Sequence, residues 1–181
     1  MATGAISGRR YAEAIFELAS EAGTLDNWSA DLRTIAGFVS EGDVSRLMAS
    51  GRVPRTEKTR LLSAALKPSI SPLAWNLVQI LEQRGKLAVA PDIVDAFQSK
   101  VDVSRNVAHA IVTTAVPLAD DERAAIASKL STLTGKTVDV TAVVDEAIIG
   151  GLIARVGDQL IDGSTRSRLV ALKRRLEGAA R

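Results

Sequence analysis

The apolar residues of this chain change their spacing once, near residue 105, and that change limits the fold more than any other feature. Before it they recur every three or four residues, the period of a helix face. After it valine, isoleucine and threonine alternate, as strands require. A chain that keeps one period and then the other builds its helices and its sheet as separate modules. The expectation is therefore α+β: a bundle of six helices over residues 1–105, then a β-α-β-β-α domain over 106–181, joined at Ser104–Asn106.

The helical half is punctuated throughout. Tyr11, Ile15, Leu18, Ala19 and Ala22 fall on one helix face, and Gly23 stops that helix. Leu25, Trp28, Leu32, Ile35 and Val39 form a second stripe, and a short helix fits Val44–Ala49 after Gly42. Pro54 can open a fourth helix carrying Leu61, Leu62, Ala65 and Leu66 and ending at Pro68. Pro72 opens a fifth, with Leu73, Leu77, Ile80 and Leu81 inward and Gly85 as its cap. The sixth runs from about Val89 through Val94, Phe97 and Val101.

The second half reads as a strand over Val107–Val116, ended by Pro117, then a helix whose first turn holds Asp120, Asp121 and Glu122 at the positive dipole end. Ala119 stands where a capping Ser or Asp is expected, so this cap is weak. Ile126, Leu130 and Leu133 give the helix its apolar face, and Gly135 closes it. Thr137–Val144 alternates as a strand with Val138, Val140, Ala142 and Val144 on one face. Leu152–Val156 and Gln159–Asp162 flank Gly157-Asp158, a two-residue hairpin signal. Asp162 or Ser164 can cap a last helix bearing Leu169, Leu172 and Leu176.

Catalytic patterns are tested and fail. Gly135-Lys136-Thr137 resembles the end of a phosphate loop, but Leu130 replaces the leading glycine and the order is helix then strand, the reverse of what that loop needs. Gly150, Gly151, Gly157 and Gly163 lack dinucleotide spacing; a glycine pair before a strand fits a bulge, a positive φ or close backbone approach. His109 is the single histidine and cysteine is absent, which excludes a metal site built from several nitrogen or sulfur ligands and leaves no disulfide framework. Asp120-Asp121-Glu122 is better read as helix-start acids than as a cation site. No cofactor is expected. No apolar run reaches the ~18 residues of a membrane span, and MATGAISGRR has no apolar core of a secretory signal. The net charge of +2 is too small for whole-surface attraction to nucleic acid. The basic residues gather at the C-terminus, where Arg166, Arg168, Lys173, Arg174, Arg175 and Arg181 face one acid, Glu177. Two other classes follow from these features: an RNA-binding helical adaptor using that basic helix, and a small enzyme using His109.

Residues 144–172, VDEAIIGGLIARVGDQLIDGSTRSRLVAL, closely resemble the C-terminal signature of the delta subunit family of bacterial F-type ATP synthases. The matching parts are Val144-Asp145, Gly150-Gly151, Leu152–Arg155, Gly157-Asp158, Ile161–Ser164, and Arg166, Arg168 and Leu169. The first helix, RRYAEAIFELASEAG, is similar to the family's first helix at Tyr11, Ala12, Ala14 and Phe16; Trp28 and Arg84–Leu87 also match. The resemblance thus runs in order through nearly the whole chain. It implies a non-catalytic stator protein, counterpart of the mitochondrial oligomycin-sensitivity conferring protein. Such a protein is present once per complex and lies peripherally at the cytoplasmic face of the bacterial inner membrane, with no membrane insertion and no nucleic acid. The helical domain would receive N-terminal segments of the alpha subunits of the catalytic head. The C-terminal domain would engage the b subunits of the peripheral stalk.

Two surfaces are expected on that basis. On a helical wheel Ala14 lies beside one edge of the first stripe, and Ala12 and Phe16 extend the other, giving an apolar arc of about half the circumference, wider than core packing alone requires. Part of it, with the fifth helix, is expected to form a groove for an amphipathic helix, using Tyr11, Ala14, Ile15, Leu18, Asn76, Gln79 and Ile80. Gly150, Gly151, Arg155, Asp162, Arg166, Arg168 and Leu169 are the candidates for the stalk, with Arg166 and Arg168 as charge partners and Leu169 as core.

Overall fold

The computed structural model describes residues 2–145, 148–167, 169, 170 and 172, with helix side chains from Gly8 onward. It is a mixed α+β protein whose chain divides into two compact units, Met1–Val101 and Asp102–Arg181. The first unit holds α1 (Ala2–Glu21), α2 (Leu25–Ser40), α3 (Gly42–Ala49), α4 (Arg55–Leu66), α5 (Pro72–Gln83), a single 3₁₀ turn at Leu87–Val89, and α6 (Ala90–Ser104), whose last turn runs into the second unit. The punctuation works as its chemistry dictates. The Ser71 hydroxyl accepts from the Ala74 N–H and Pro72 follows at the first helical position, so α5 starts there. Gly23 and Gly85 take left-handed φ of 66° and 63° where α1 and α5 stop.

One core gathers side chains from these helices: Ile15, Trp28, Leu32, Ile35, Leu62, Leu66, Val78, Leu81, Ile93 and Phe97 among them, with Phe16 edge-on to Phe97. Gly8 lets α1 approach α6 closely, since a Cβ there would stand 2.8 Å from the Asp92 Cβ. The inward faces differ from the expected stripes. On α1 the buried positions are Gly8, Ala12, Ile15 and Ala19, while Leu18 and Ala22 are exposed. On α5 they are Ala74, Leu77, Val78 and Leu81, while Leu73 and Ile80 are exposed. In both helices the core face is turned by roughly 50° from the most apolar stripe, half of one residue step. Leu61 and Ala65 likewise turn outward on α4.

The second unit holds β1 (Val107–Thr114), α7 (Asp120–Thr134), β2 (Thr137–Val144), β3 (Leu152–Val156) and β4 (Gln159–Asp162). Residues 165–167, 169, 170 and 172 are helical. The sheet order is β2-β1-β3-β4; β1 and β2 are parallel, joined through α7, and the other pairs are antiparallel. Gly157-Asp158 makes the β3–β4 turn with Gly157 at φ 57°. Gly135 caps α7 at φ 69°, which is the reason Gly-Lys-Thr occurs here. Ala119 offers α7 no side-chain cap; instead Glu122 Oε2 accepts from the Ala119 N–H at 3.0 Å. One face of the sheet is covered: Ala110, Val112, Val138, Val140, Ala154 and Val156 pack with Leu130 of α7. Leu133 and Val144, expected inward, are exposed.

Candidate functional site

The outward stripes of α1 and α5 meet in one place. Tyr11, Ala14, Ile15, Leu18 and Ala22 of α1 and Leu73, Asn76, Leu77 and Ile80 of α5 line a groove of about 640 Å³, with Trp28 of α2 and Thr24 behind them and Glu21 at one end. Six of the seven residues expected at a head-binding surface thus lie together here. The seventh, Gln79, does not: it lines a separate hollow with Arg55, Thr59, Trp75 and Glu82.

The groove is built from two kinds of residue. Ile15, Trp28 and Leu77 are almost fully buried and fix its floor. Leu18, Leu73 and Ile80 stand in solvent at 61%, 62% and 44% exposure. Covering an aliphatic side chain completely is worth about 1.5–3 kcal/mol, so covering these three would be worth several kcal/mol. Ala14 is exposed and small, so the groove is open beside it. The opening of α5 is tied to α2, since Asp31 Oδ2 accepts from the Ser71 N–H at 3.2 Å.

In the second unit, the glycine signature turns out to be internal carpentry. Gly151 has φ 83°, and a Cβ on it would stand 2.5 Å from the Gly163 carbonyl and 3.0 Å from the Ser164 Cα. A Cβ on Gly150 would meet the Thr165 hydroxyl at 3.1 Å. Two backbone hydrogen bonds close this contact, Gly163 N–H to the Leu152 carbonyl and Thr165 N–H to the Gly150 carbonyl, both 2.9 Å. Asp162 completes the lock: Oδ1 accepts from the Ser164 N–H at 2.8 Å and Oδ2 from the Ser167 hydroxyl at 2.6 Å. Buried Ser164 is the helix cap, its hydroxyl accepting from the Ser167 N–H at 3.3 Å. These bonds hold the Asp162 carboxyl below its ordinary value, the Ser167 hydroxyl most of all, then the Ser164 amide and hydroxyl.

The other stalk candidates are dispersed. Arg155 lies on the sheet face opposite α7, paired in register with Ile111 of β1 and Leu160 of β4. With Thr113 and Ile153 these line a shallow depression of about 290 Å³. Ile111 and Leu160 are 50% and 62% exposed, and Val143 on β2 extends the apolar patch. Strand alternation puts all six residues on the face opposite α7. Sequence reading named Arg155 alone here; the signal for the rest was the second half of each strand's alternation. Arg166 is exposed, and Leu169, expected as core, is 57% exposed. Arg168 lies outside the described residues. His109 is also on the face opposite α7, with Nε2 3.1 Å from Asp102 Oδ2 and Nδ1 3.6 Å from Asp139 Oδ2. Among the described residues no group of three or more His, Asp or Glu is placed to hold a metal, and no helix is long and apolar enough to cross a membrane.

Residues 8–176 match the family described as ATP synthase delta (OSCP) subunit. The chain is similar to curated proteins named ATP synthase subunit delta: 35% identical to that of Dehalococcoides mccartyi over 91% of this chain and 90% of the other, and 36% identical to that of Gemmatimonas aurantiaca over 94% and 92%. A third, from Azorhizobium caulinodans, is 37% identical over 91% and 89%. The fold is similar to a chain in the Toxoplasma gondii mitochondrial ATP synthase hexamer, with a TM-score of 0.62 at 21% identity over 93% of this chain and 96% of that one. A match this long, carried at both ends of the chain, places this protein in the ATP synthase delta (OSCP) subunit family.

Proposed function

We propose that this chain clamps the catalytic head of an F-type ATP synthase to its peripheral stalk by two separate docking surfaces. The family is one of structural, non-catalytic subunits of the synthase, and that membership displaces the RNA-adaptor and His109-enzyme readings. The finer assignment is ours. Residues 1–105, taken as a six-helix bundle, receive the N-terminal segments of the alpha subunits in the α1–α5 groove. Residues 106–181, a β-α-β-β-α domain closed by the last helix, receive the C-terminal ends of the b subunits. The chain sits once per complex, peripherally, on the cytoplasmic face of the bacterial inner membrane.

The observation that carries this reading is the groove: three large aliphatic side chains held in water on rigid helices around an apolar floor. Exposed apolar surface concentrated this way marks a binding face, and an amphipathic helix with anchors at i, i+3 or i+4 and i+7 fits it. A stable interface of this kind buries about 1,600 Å² in total, its energy concentrated in a few such anchors. For the stalk, the sheet face around Arg155 supplies apolar contact beside a positive charge, and exposed Arg166 and Leu169 on the last helix are further candidates. Gly150, Gly151 and Asp162 serve that surface indirectly, by pinning the turn that carries the helix. Affinity purification of the tagged chain from membranes tests the proposal: alpha and b subunits should both be retained. Recovery of the chain with neither would refute it.

A further inference from the structure

Among the described residues the α1–α5 groove has one charged side chain in its lining, Glu21, and that residue stands where its own helix least favours it. Glu21 is the last residue of α1, at the negative end of the helix dipole. No basic residue occupies the last turn, Glu17 adds a second carboxylate one turn earlier, and Glu21 is exposed with no partner among the described residues. A local rule broken without compensation inside the chain points to compensation from outside. We infer that the guest of the groove is an amphipathic helix carrying an ammonium or guanidinium group at the end seated beside Glu21 and Ala22. The apolar floor then supplies affinity, and the Glu21 pair supplies the direction in which the guest lies. A guest reversed in the groove would leave its cation at the Tyr11 end, beside exposed Arg10 and away from any carboxylate of the lining, and Glu21 unpaired beside an apolar surface, so one orientation wins.

This inference rests on the groove being the head-binding site, and its test separates the two. Full-length chain is titrated against purified catalytic head lacking this subunit, at low salt and at about 0.5 M salt, where exposed charges are screened within a few ångströms. Glu21→Gln should weaken binding about threefold at low salt, and Glu21→Lys about tenfold, mainly through slower association. Both losses should shrink at high salt. Glu21→Lys should leave the melting temperature unchanged or raise it, because a cation favours that helix end. Wild-type binding by Glu21→Lys, while Ala14→Asp fails to bind, would overturn the charge pairing and leave the groove standing. A loss that persists undiminished at high salt would also overturn it. Wild-type binding by Ala14→Asp would remove the groove and the inference together.

Discussion

The helical groove and the glycine lock use their residues in opposite ways. In the lock, the most recognisable stretch of the chain spends itself on itself: Gly150, Gly151, Asp162, Gly163 and Ser164 contact one another. In the groove, the residues that matter are those left over from packing: Leu18, Leu73 and Ile80 lie beside the core stripes of α1 and α5 and touch little within the chain. A motif that is specific in sequence is thus architectural here, and the exposed apolar groove comes from a pattern nearly invisible in the sequence. The lock can only be broken by unfolding something; the groove can be spoiled without disturbing the fold.

The largest effect is expected at the lock. Gly151→Ala forces a Cβ into the Gly163 carbonyl at a left-handed φ, and should destabilise the second unit by about 3 kcal/mol. Both tryptophans, the tyrosine and all three phenylalanines lie in the first unit. Tryptophan emission should therefore stay native while amide exchange across β3 and β4 accelerates; equal loss of both signals would show that the two units do not unfold separately. At the groove the expectation reverses. Ala14→Asp should lower affinity for the head about a hundredfold, about 2.7 kcal/mol, at a stability cost of about 0.5 kcal/mol from helix propensity. Calorimetry and thermal melting on one sample check both numbers, and a melting loss as large as the binding loss would merge the two mechanisms. Smaller again, Arg155→Glu on the sheet face opposite α7 should weaken stalk binding about tenfold with head binding unchanged; an unchanged stalk affinity would move that surface elsewhere.

The smallest effect concerns pH. The Asp162 carboxyl titrates below its ordinary value in the folded chain, so its hydrogen bonds contribute stability that is full above that value and fades as pH falls through the lowered one. Protection of the Ser164 amide against exchange, taken relative to the unprotected rate at each pH, should fall only on acidification below the ordinary carboxylate range. In Asp162→Asn the same amide should show no such titration. A wild-type amide insensitive to acid would mean that the carboxylate does not hold the turn.

Much of the fold was legible because its signals are local. Ser71-Pro72 opens a helix by its own chemistry, Gly135 ends one, and Gly157-Asp158 turns a hairpin, whatever surrounds them. Periodicity also located the groove, since an arc wider than a core stripe must either be buried or be offered to a partner. It could not say which edge does which. Ile15 and Ala19 were read on the same stripe as Leu18 and Ala22, yet the first two are buried and the others exposed, because the packing of α2 and α6 decides the rotation. Gln79 was misplaced for a related reason: it lies about 60° further round α5 than Asn76, enough to turn it toward Arg55 and Glu82. The roles of Gly150 and Gly151 needed a partner 12 or more residues away, the Gly163 carbonyl and Thr165, and no spacing rule supplies that. Leu169 kept its helical period and still faces solvent, since period names a stripe and not what covers it.

The claim that the two surfaces are separate is tested most directly by sedimenting catalytic heads on membranes that retain the b subunits but lack this chain. Wild-type protein should bring heads down with the membranes. Ala14→Asp should reach the membranes without heads, and Arg155→Glu should need about tenfold more protein to bring the same heads down. If either variant loses both partners, or if both variants still bridge at wild-type level, the molecule does not work as a clamp with two independent faces.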